Sequence, residues 1–226
     1  TDKWKNLQGL KFSRYIMADD FFTLDLDLVM KGCRAIFHLG ACSSTTEKNV
    51  DYLMQNNVEY SQLLYKLAEH YKIPFLYASS AATYGDGQHG YSEDLSEELR
   101  PLNPYGFSKL VFDQWMMMQK KSSIPWYGFK FFNVYGPNEY HKEEMRSLVH
   151  KAYHQIKATG VVKLFKSHRP DYKDGEQLRD FIYVLDVVNV MLRFYKEVDK
   201  KHSGIYNLGT GVARSFKDLV TQVFHS

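Results

Sequence analysis

Tyr105 and Lys109 stand four residues apart in the segment NPYGFSK, 103–109. If that segment opens a helix, the two side chains lie one turn apart on the same face, an ammonium beside a phenol. A free phenol titrates at about pH 10 and holds its proton too firmly for work near neutrality, whereas a neighbouring cation favours the phenolate and lowers that value. Lys109 can be that cation, and it can also hydrogen-bond the ribose of a bound nucleotide. An acid/base tyrosine acting on a secondary alcohol further needs a small hydroxyl group to hold the substrate oxygen. Ser79 and Ser80 in ASSAATYG, 78–85, are placed to supply it.

The elements around these residues must bring them to one edge. AIFHLG (35–40) is a short apolar run, and residues 47–71 carry Val50, Leu53, Met54, Leu63, Leu64 and Leu67 at helical spacing. IPFLYASS (73–80) reads as a buried strand, and Asn103 with Pro104 suits the cap and first turn of a helix running to about residue 120. Further on come the strand WYGFKFFNVYG (126–136), a helix over 143–158, a short strand VVKLF (161–165) and the strand-like FIYV (181–184). A helix over 186–198, the strand GIYNLG (204–209) and a last helix from Ser215 finish the chain. Alternating strands and helices predict an α/β fold, a Rossmann-like doubly wound parallel sheet with helices on both faces. Ligands then sit outside the carboxyl ends of the strands, where the serines and the Tyr105 helix meet. One feature of that fold is missing, because residues 1–34 hold only Gly9 and Gly32 and no G-x-G-x-x-G turn.

Bulk composition narrows the partners. The 226 residues carry 29 Lys plus Arg against 26 Asp plus Glu, spread without the basic block expected of a nucleic-acid binder. No apolar run approaches the roughly 20 residues that span a bilayer, and TDKWKNLQGL has no basic-then-apolar leader pattern. Cys33 and Cys42 read as free thiols, in keeping with a reducing cytoplasm, and no metal site is expected. The 17 Tyr and 15 Phe read as core packing.

SSAATYG, then PYGFSK, then FKFFNVYGP, in that order, resemble the extended short-chain dehydrogenase/reductase family. Within it, HLGACSSTTE, PFLYASSAATYG, FNVYGPNEYHK, LRDFIYV and NLGTG are similar to the branch that epimerises C6 of an ADP-linked heptose. The resemblance covers nearly the whole chain. It implies a dinucleotide-binding part over 1–135 and a smaller C-terminal substrate lobe over 136–226 that includes returning Rossmann elements. It implies a tightly held nicotinamide dinucleotide, NADP in preference to NAD, and an ADP-heptose nucleotide sugar as substrate, converted for the inner core of lipopolysaccharide. A homo-oligomer, a pentamer by analogy, is part of the same expectation. It also accounts for the missing glycine turn, since residue 1 then corresponds to a point just after the family's second strand. The chain is accordingly expected to be a fragment, inactive by itself.

Carried over residue by residue, the resemblance makes Tyr105 the catalytic tyrosine, Lys109 the cofactor-orienting lysine and Ser80 the hydroxyl that holds the sugar. Leu39, Gly40, Ala41, Cys42 and Ser43 would lie along the cofactor with Asn56, Val134 and Lys142 nearby. Asp19 would accept from the adenine amine, and Lys3 would reach the ribose phosphate. Epimerisation through a ketone needs proton transfer on two faces, hence two acid/base groups. The branch uses a lysine after NVYGP as the second, and Lys142 stands there. Asn133, Phe165, Lys166, Ser167 and Arg179 are the substrate candidates, Arg179 for the diphosphate, with Arg169 as its competitor. Glu144 and Lys151 stand where a small hydroxyl residue and a histidine are expected to contact substrate, departures that bear on the particular sugar and not on the class. Competing readings are another nucleotide-sugar epimerase, a dehydratase, or a non-catalytic subunit. Ala81 and Ala82 oppose the dehydratase, which would carry an acidic residue right after the serine position.

Overall fold

The computed structural model describes residues 2–93, 98–119, 121–168 and 170–226; Arg169 lies outside the described residues. A 3-10 helix (Asp2–Leu7), α1 (Ala18–Phe21) and α2 (Leu26–Met30) precede the first described strand, β1 (Ile36–His38). Asp19 sits in the short helix α1. One helical run then follows through α3 (Val50–Leu53), a π-helical turn (Met54–Glu59) and α4 (Tyr60–Tyr71). It is capped at its start by the Asn49 side chain and stopped at Lys72, which takes the left-handed conformation. Next come β2 (Phe75–Ser80), α5 (Pro104–Met117), β3 (Trp126–Phe131), β4 (Asn133–Tyr135) and α6 (Leu148–Thr159). The chain continues through β5 (Leu178–Tyr183), α7 (Val184–Lys196), β6 (Gly204–Leu208), β7 (Ala213–Ser215) and α8 (Phe216–His225).

Four strands form a parallel sheet in the order β1-β2-β3-β6. β2 and β3 are buried almost throughout, as a strand covered on both faces requires. Phe75 and Tyr77 meet Leu64, Tyr65 and Ala68 of α4 and Phe112 and Met116 of α5 on one side. Leu76, Tyr127 and Phe129 pack on Val187 and Met191 of α7 on the other. Full burial of each such side chain stabilises the fold by roughly 1.5–3 kcal/mol. Because the strands are parallel, the ends at His38, Ser80, Phe131 and Leu208 share one edge.

Three expectations differ from the structure. WYGFKFFNVYG is two strands, because β4 leaves the main sheet at Phe132 to pair in parallel with β5, which pairs antiparallel with β7. The predicted helix over 143–158 begins late: a 3-10 turn (Glu143–Met145) comes first, and Ser147 caps α6 by accepting from the His150 N–H. VVKLF forms no strand. Its Lys163 N–H bonds the Gln155 side chain of α6 at 3.0 Å and the Phe165 carbonyl accepts from Gly175, so part of its backbone finds partners without a neighbouring strand. No helix among the described residues is long and apolar enough to cross a membrane.

Candidate functional site

The start of α5 is built to touch the turn after β2. Asn103 caps it by accepting from the Gly106 N–H at 2.8 Å, and Pro104 supplies the fixed φ of the first turn. A Cβ on Gly106 would lie 2.7 Å from the Ala82 carbonyl oxygen, so only glycine allows this approach. It sets the Tyr105 phenol near the Ser80 hydroxyl, where that hydroxyl favours the phenolate. Ser80 also accepts from the Ala82 N–H at 3.1 Å, which starts a 3-10 helix (Ala81–Tyr84) and fixes the serine at the strand end. Ser79 points the opposite way, as neighbours in a strand must, and donates to the buried Asp113 carboxylate at 2.6 Å.

Lys109 is buried one turn beyond Tyr105, its ammonium donating to the Ala78 carbonyl at 3.0 Å. Burial lowers its pKa to about 8, with the Asp113 carboxylate opposing the shift. The Tyr105 phenol is raised by burial, against a hydrogen bond from Ser80 that favours the phenolate. The expectation that Lys109 lowers the phenol is therefore corrected for this geometry: both groups are desolvated, and the ammonium is turned to a main-chain carbonyl. Beneath them lies a fully buried ion pair, Lys130 to Asp113 at 2.9 Å. Asp113 also accepts from Tyr77 at 3.0 Å, and Lys130 donates to Thr83 at 2.6 Å and lies over the Tyr84 ring. Thr83 in turn donates to the Ser80 carbonyl at 2.9 Å, so this pair braces both serines of the strand end. The sequence reading missed Asp113 and Lys130, although a charged residue at α5 position 113 facing a lysine inside a buried strand was a visible signal.

The loop after β1 is tied to the same helix by another residue the sequence reading missed. Asn57, fully buried in the π-helical turn, accepts from the Cys42 N–H at 2.9 Å and donates to the Cys42 carbonyl and to Ser108, both at 3.0 Å. Ser108 donates to the Tyr105 carbonyl at 2.7 Å, and Asn56 donates to the Asn57 side chain at 3.0 Å. Cys42, Asn56 and the Tyr105 main chain are thereby held in one hydrogen-bonded frame. Helices that widen to π geometry recur at functional sites, and here the wider turn carries Asn57.

That edge fits a dinucleotide. Gly40 has neither a positive φ nor any neighbour within 4 Å of an added Cβ, so nothing in the chain's own packing calls for glycine there. The missing side chain leaves room for a ligand to approach the backbone there.

His38 ends β1 beneath this loop, and its Nε2 lies 2.7 Å from the Ser61 hydroxyl, which itself donates to the Asn57 carbonyl. Nε2 is therefore the donor. Burial, and then the Lys109 charge, lowers its pKa to about 4 from an ordinary 6.5. The folded state binds this proton less well than the unfolded chain, so the contribution is complete above 6.5 and is lost as pH falls towards 4. A shift of this size corresponds to about 3 kcal/mol. Urea unfolding between pH 7 and 4 is expected to show a shallower acid loss in His38→Asn than in the parent; equal slopes would assign the acid loss to other groups.

The other candidates lie apart from this frame. Lys3 is exposed on the first 3-10 helix, and Asp19 stands near Tyr60 of α4. Asn133 is exposed at the start of β4, and Val134 packs beside the α7 core. Lys142 is exposed in the loop before α6. Glu144 and Lys151 meet each other, the Lys151 ammonium lying 3.2 Å from the Glu144 carboxylate, an exposed pair of small energetic weight. Phe165 and Arg179 converge on Phe216, with ring centroids 5.3 Å apart and the guanidinium 5.7 Å from the ring. Lys166 is exposed, and the Ser167 N–H bonds Asp174 at 2.7 Å. Among the described residues no hydrogen bond or ion pair joins Lys142 or the Phe216 group to Tyr105.

Residues 4–209 match the NAD dependent epimerase/dehydratase family. The chain belongs to that family. It is 50% identical over 226 aligned residues to an ADP-L-glycero-D-manno-heptose-6-epimerase of Fusobacterium nucleatum, covering 96% of this chain and 67% of the relative. The crystal structure of the Helicobacter pylori ADP-L-glycero-D-manno-heptose-6-epimerase superposes with a TM-score of 0.81 at 33% identity, over 98% of this chain and 67% of that one. MoeE5 in complex with UDP-glucose and NAD superposes with a TM-score of 0.72 at 26% identity, over 91% and 66%. Family membership and the four-stranded parallel sheet agree with the Rossmann-like fold and with a nicotinamide cofactor.

Proposed function

We propose that this chain carries the reaction centre of a nucleotide-sugar epimerase that inverts C6 of ADP-D-glycero-D-manno-heptose to the L-glycero epimer. The observation that carries the reading is the meeting of Tyr105, Ser80 and buried Lys109 at the carboxyl edge of the parallel sheet. The names of the relatives support this sugar among nucleotide sugars.

In this reading Ser80 hydrogen-bonds the C6 oxygen and Tyr105 removes or returns its proton on one face. Lys142 serves the opposite face, since inversion needs proton transfer from two sides. A bound nicotinamide would supply reversible hydride transfer at C6. Leu39 to Ser43, Asn56, Val134 and Lys109 hold that group, with Asp19 and Lys3 towards its adenosine end, and NADP is preferred to NAD. Arg179 holds the sugar's diphosphate, and Asn133, Glu144, Lys151, Phe165, Lys166 and Ser167 line the rest of the sugar nucleotide. A cytoplasmic homo-oligomer, a pentamer, supplying lipopolysaccharide inner-core synthesis completes the proposal.

The experiment is incubation of ADP-D-glycero-D-manno-heptose with the full-length protein in deuterated buffer, followed by proton NMR and mass spectrometry. The L-glycero epimer without deuterium at C6 is the expected product. Deuterium at C6 would replace internal hydrogen return by exchange with solvent, and no conversion with nicotinamide in place would move the search to other nucleotide sugars.

A further inference from the structure

The loop that carries Lys142 is closed by a buried carboxylate. Glu139 is only 6% exposed, yet it accepts three hydrogen bonds: from the Gly136 N–H at 3.0 Å, the Ser147 hydroxyl at 2.7 Å and the Ser147 N–H at 2.6 Å. Gly136 directly follows β4, and Ser147 caps α6. One side chain thus joins both ends of the loop to the two elements that flank it. Hydrogen bonds to an ionised acceptor are the strong kind, and a buried carboxylate keeps them because losing any leaves charge uncompensated.

Within the loop, the fixed contacts serve the backbone. The Lys142 N–H donates to the Glu139 carbonyl at 2.9 Å, and the Lys142 carbonyl accepts from Met145 at 2.8 Å. Asn138 and Glu143 take left-handed φ values of 72° and 48°, on either side of Lys142. For a glutamate this is a costly conformation that persists only where the surroundings over-determine it. On the outer side, Tyr140 donates to Asn6 at 2.5 Å and Asn6 donates to the Asn138 carbonyl at 3.4 Å, fastening the loop to the first 3-10 helix. The Lys142 ammonium has no hydrogen bond or ion pair among the described residues. This loop has a rigid, partly strained frame and an uncommitted cation at its tip.

We infer that Glu139 is a positioning residue for Lys142: by closing the loop between Gly136 and Ser147, it holds the ammonium where the second proton transfer takes place. The inference rests on the reading of Lys142 as the second acid/base group. Glu139 does not touch the substrate and acts through the lysine alone.

A double-mutant cycle separates this from general support of the fold. Glu139→Ala, Lys142→Met and the double variant are compared for kcat, KM for the heptose nucleotide, nicotinamide content of the purified protein and urea midpoint. Glu139→Gln and Ser147→Ala, which each remove only part of the closure, run the same cycle where Glu139→Ala does not fold. Lys142→Met is expected to lower kcat by about 100-fold or more. Glu139→Ala is expected to lower kcat by about 10-fold or more, with KM and nicotinamide content little changed, because a misplaced general acid/base loses rate and not binding. The decisive expectation is that the double variant is no slower than Lys142→Met within a factor of about 2, since a residue acting only through Lys142 has nothing left to position. Multiplying losses overturn the inference while leaving Lys142 in place as an acid/base group, as does a matching loss of nicotinamide in Glu139→Ala. Unchanged turnover in Lys142→Met overturns the inference together with the reading beneath it.

Discussion

Tyr105→Phe is expected to lower kcat for epimerisation by a factor on the order of 10²–10⁴, the usual worth of a positioned acid/base group. The substitution removes one hydroxyl and keeps the ring, so the packing of α5 on the turn after β2 is unchanged. Asn103 still caps the helix, Gly106 still touches Ala82, and Ser80 keeps its bond from the Ala82 N–H. Urea midpoint and nicotinamide content are therefore expected to match the parent, and stopped-time NMR of the two heptose epimers gives the rate. Turnover within a factor of about 3 of the parent would remove Tyr105 from the chemistry and leave Lys142 to carry it, contrary to the two-face requirement.

Lys130→Met is expected to give the largest loss of stability, about 3–5 kcal/mol, because it strands the Asp113 carboxylate where no water reaches it. Both partners are 0% exposed, and their 2.9 Å contact sits among Tyr77, Ser79 and Thr83. Adding Asp113→Asn to this variant is expected to recover part of the loss, since the amide oxygen still accepts from Ser79 or Tyr77 without leaving a charge. Urea unfolding of the parent, the single and the double variant gives the three free energies. A single-variant loss below about 1 kcal/mol would show that the pair is no more than an exposed salt bridge in weight. The pair's reach to Ser79, and through Thr83 to Ser80, makes lost turnover the expected companion of lost stability.

Much of the main sheet was legible because its signals are local. IPFLYASS and the run AIFHLG are apolar stretches of strand length, and the sheet places both where the pattern put them. Asn103 and Pro104 start α5 at the expected residue, since capping depends on side chains next to the backbone they satisfy. VVKLF failed for the complementary reason: an apolar run becomes a strand only if a neighbour offers a ladder, and here the Gln155 side chain took the N–H. β4 was hidden inside WYGFKFFNVYG because a change of partner sheet leaves no mark in hydrophobic spacing.

The sequence by itself determined which groups stand where this chemistry could use them: a phenol and an ammonium at helical spacing, and serines behind a strand; Lys142 was pointed to by resemblance alone. It did so because spacing along a helix or strand fixes which side chains share a face. Only the tertiary structure decided that Lys109 is desolvated and turned to Ala78, that Asn57, Asp113 and Lys130 brace the elements around Tyr105, and that Glu139 closes the separate loop of Lys142. Burial and hydrogen bonding between residues far apart in the chain set those outcomes. Glu139, enclosed between Gly136 and Ser147, becomes the group that closes the loop only through that enclosure.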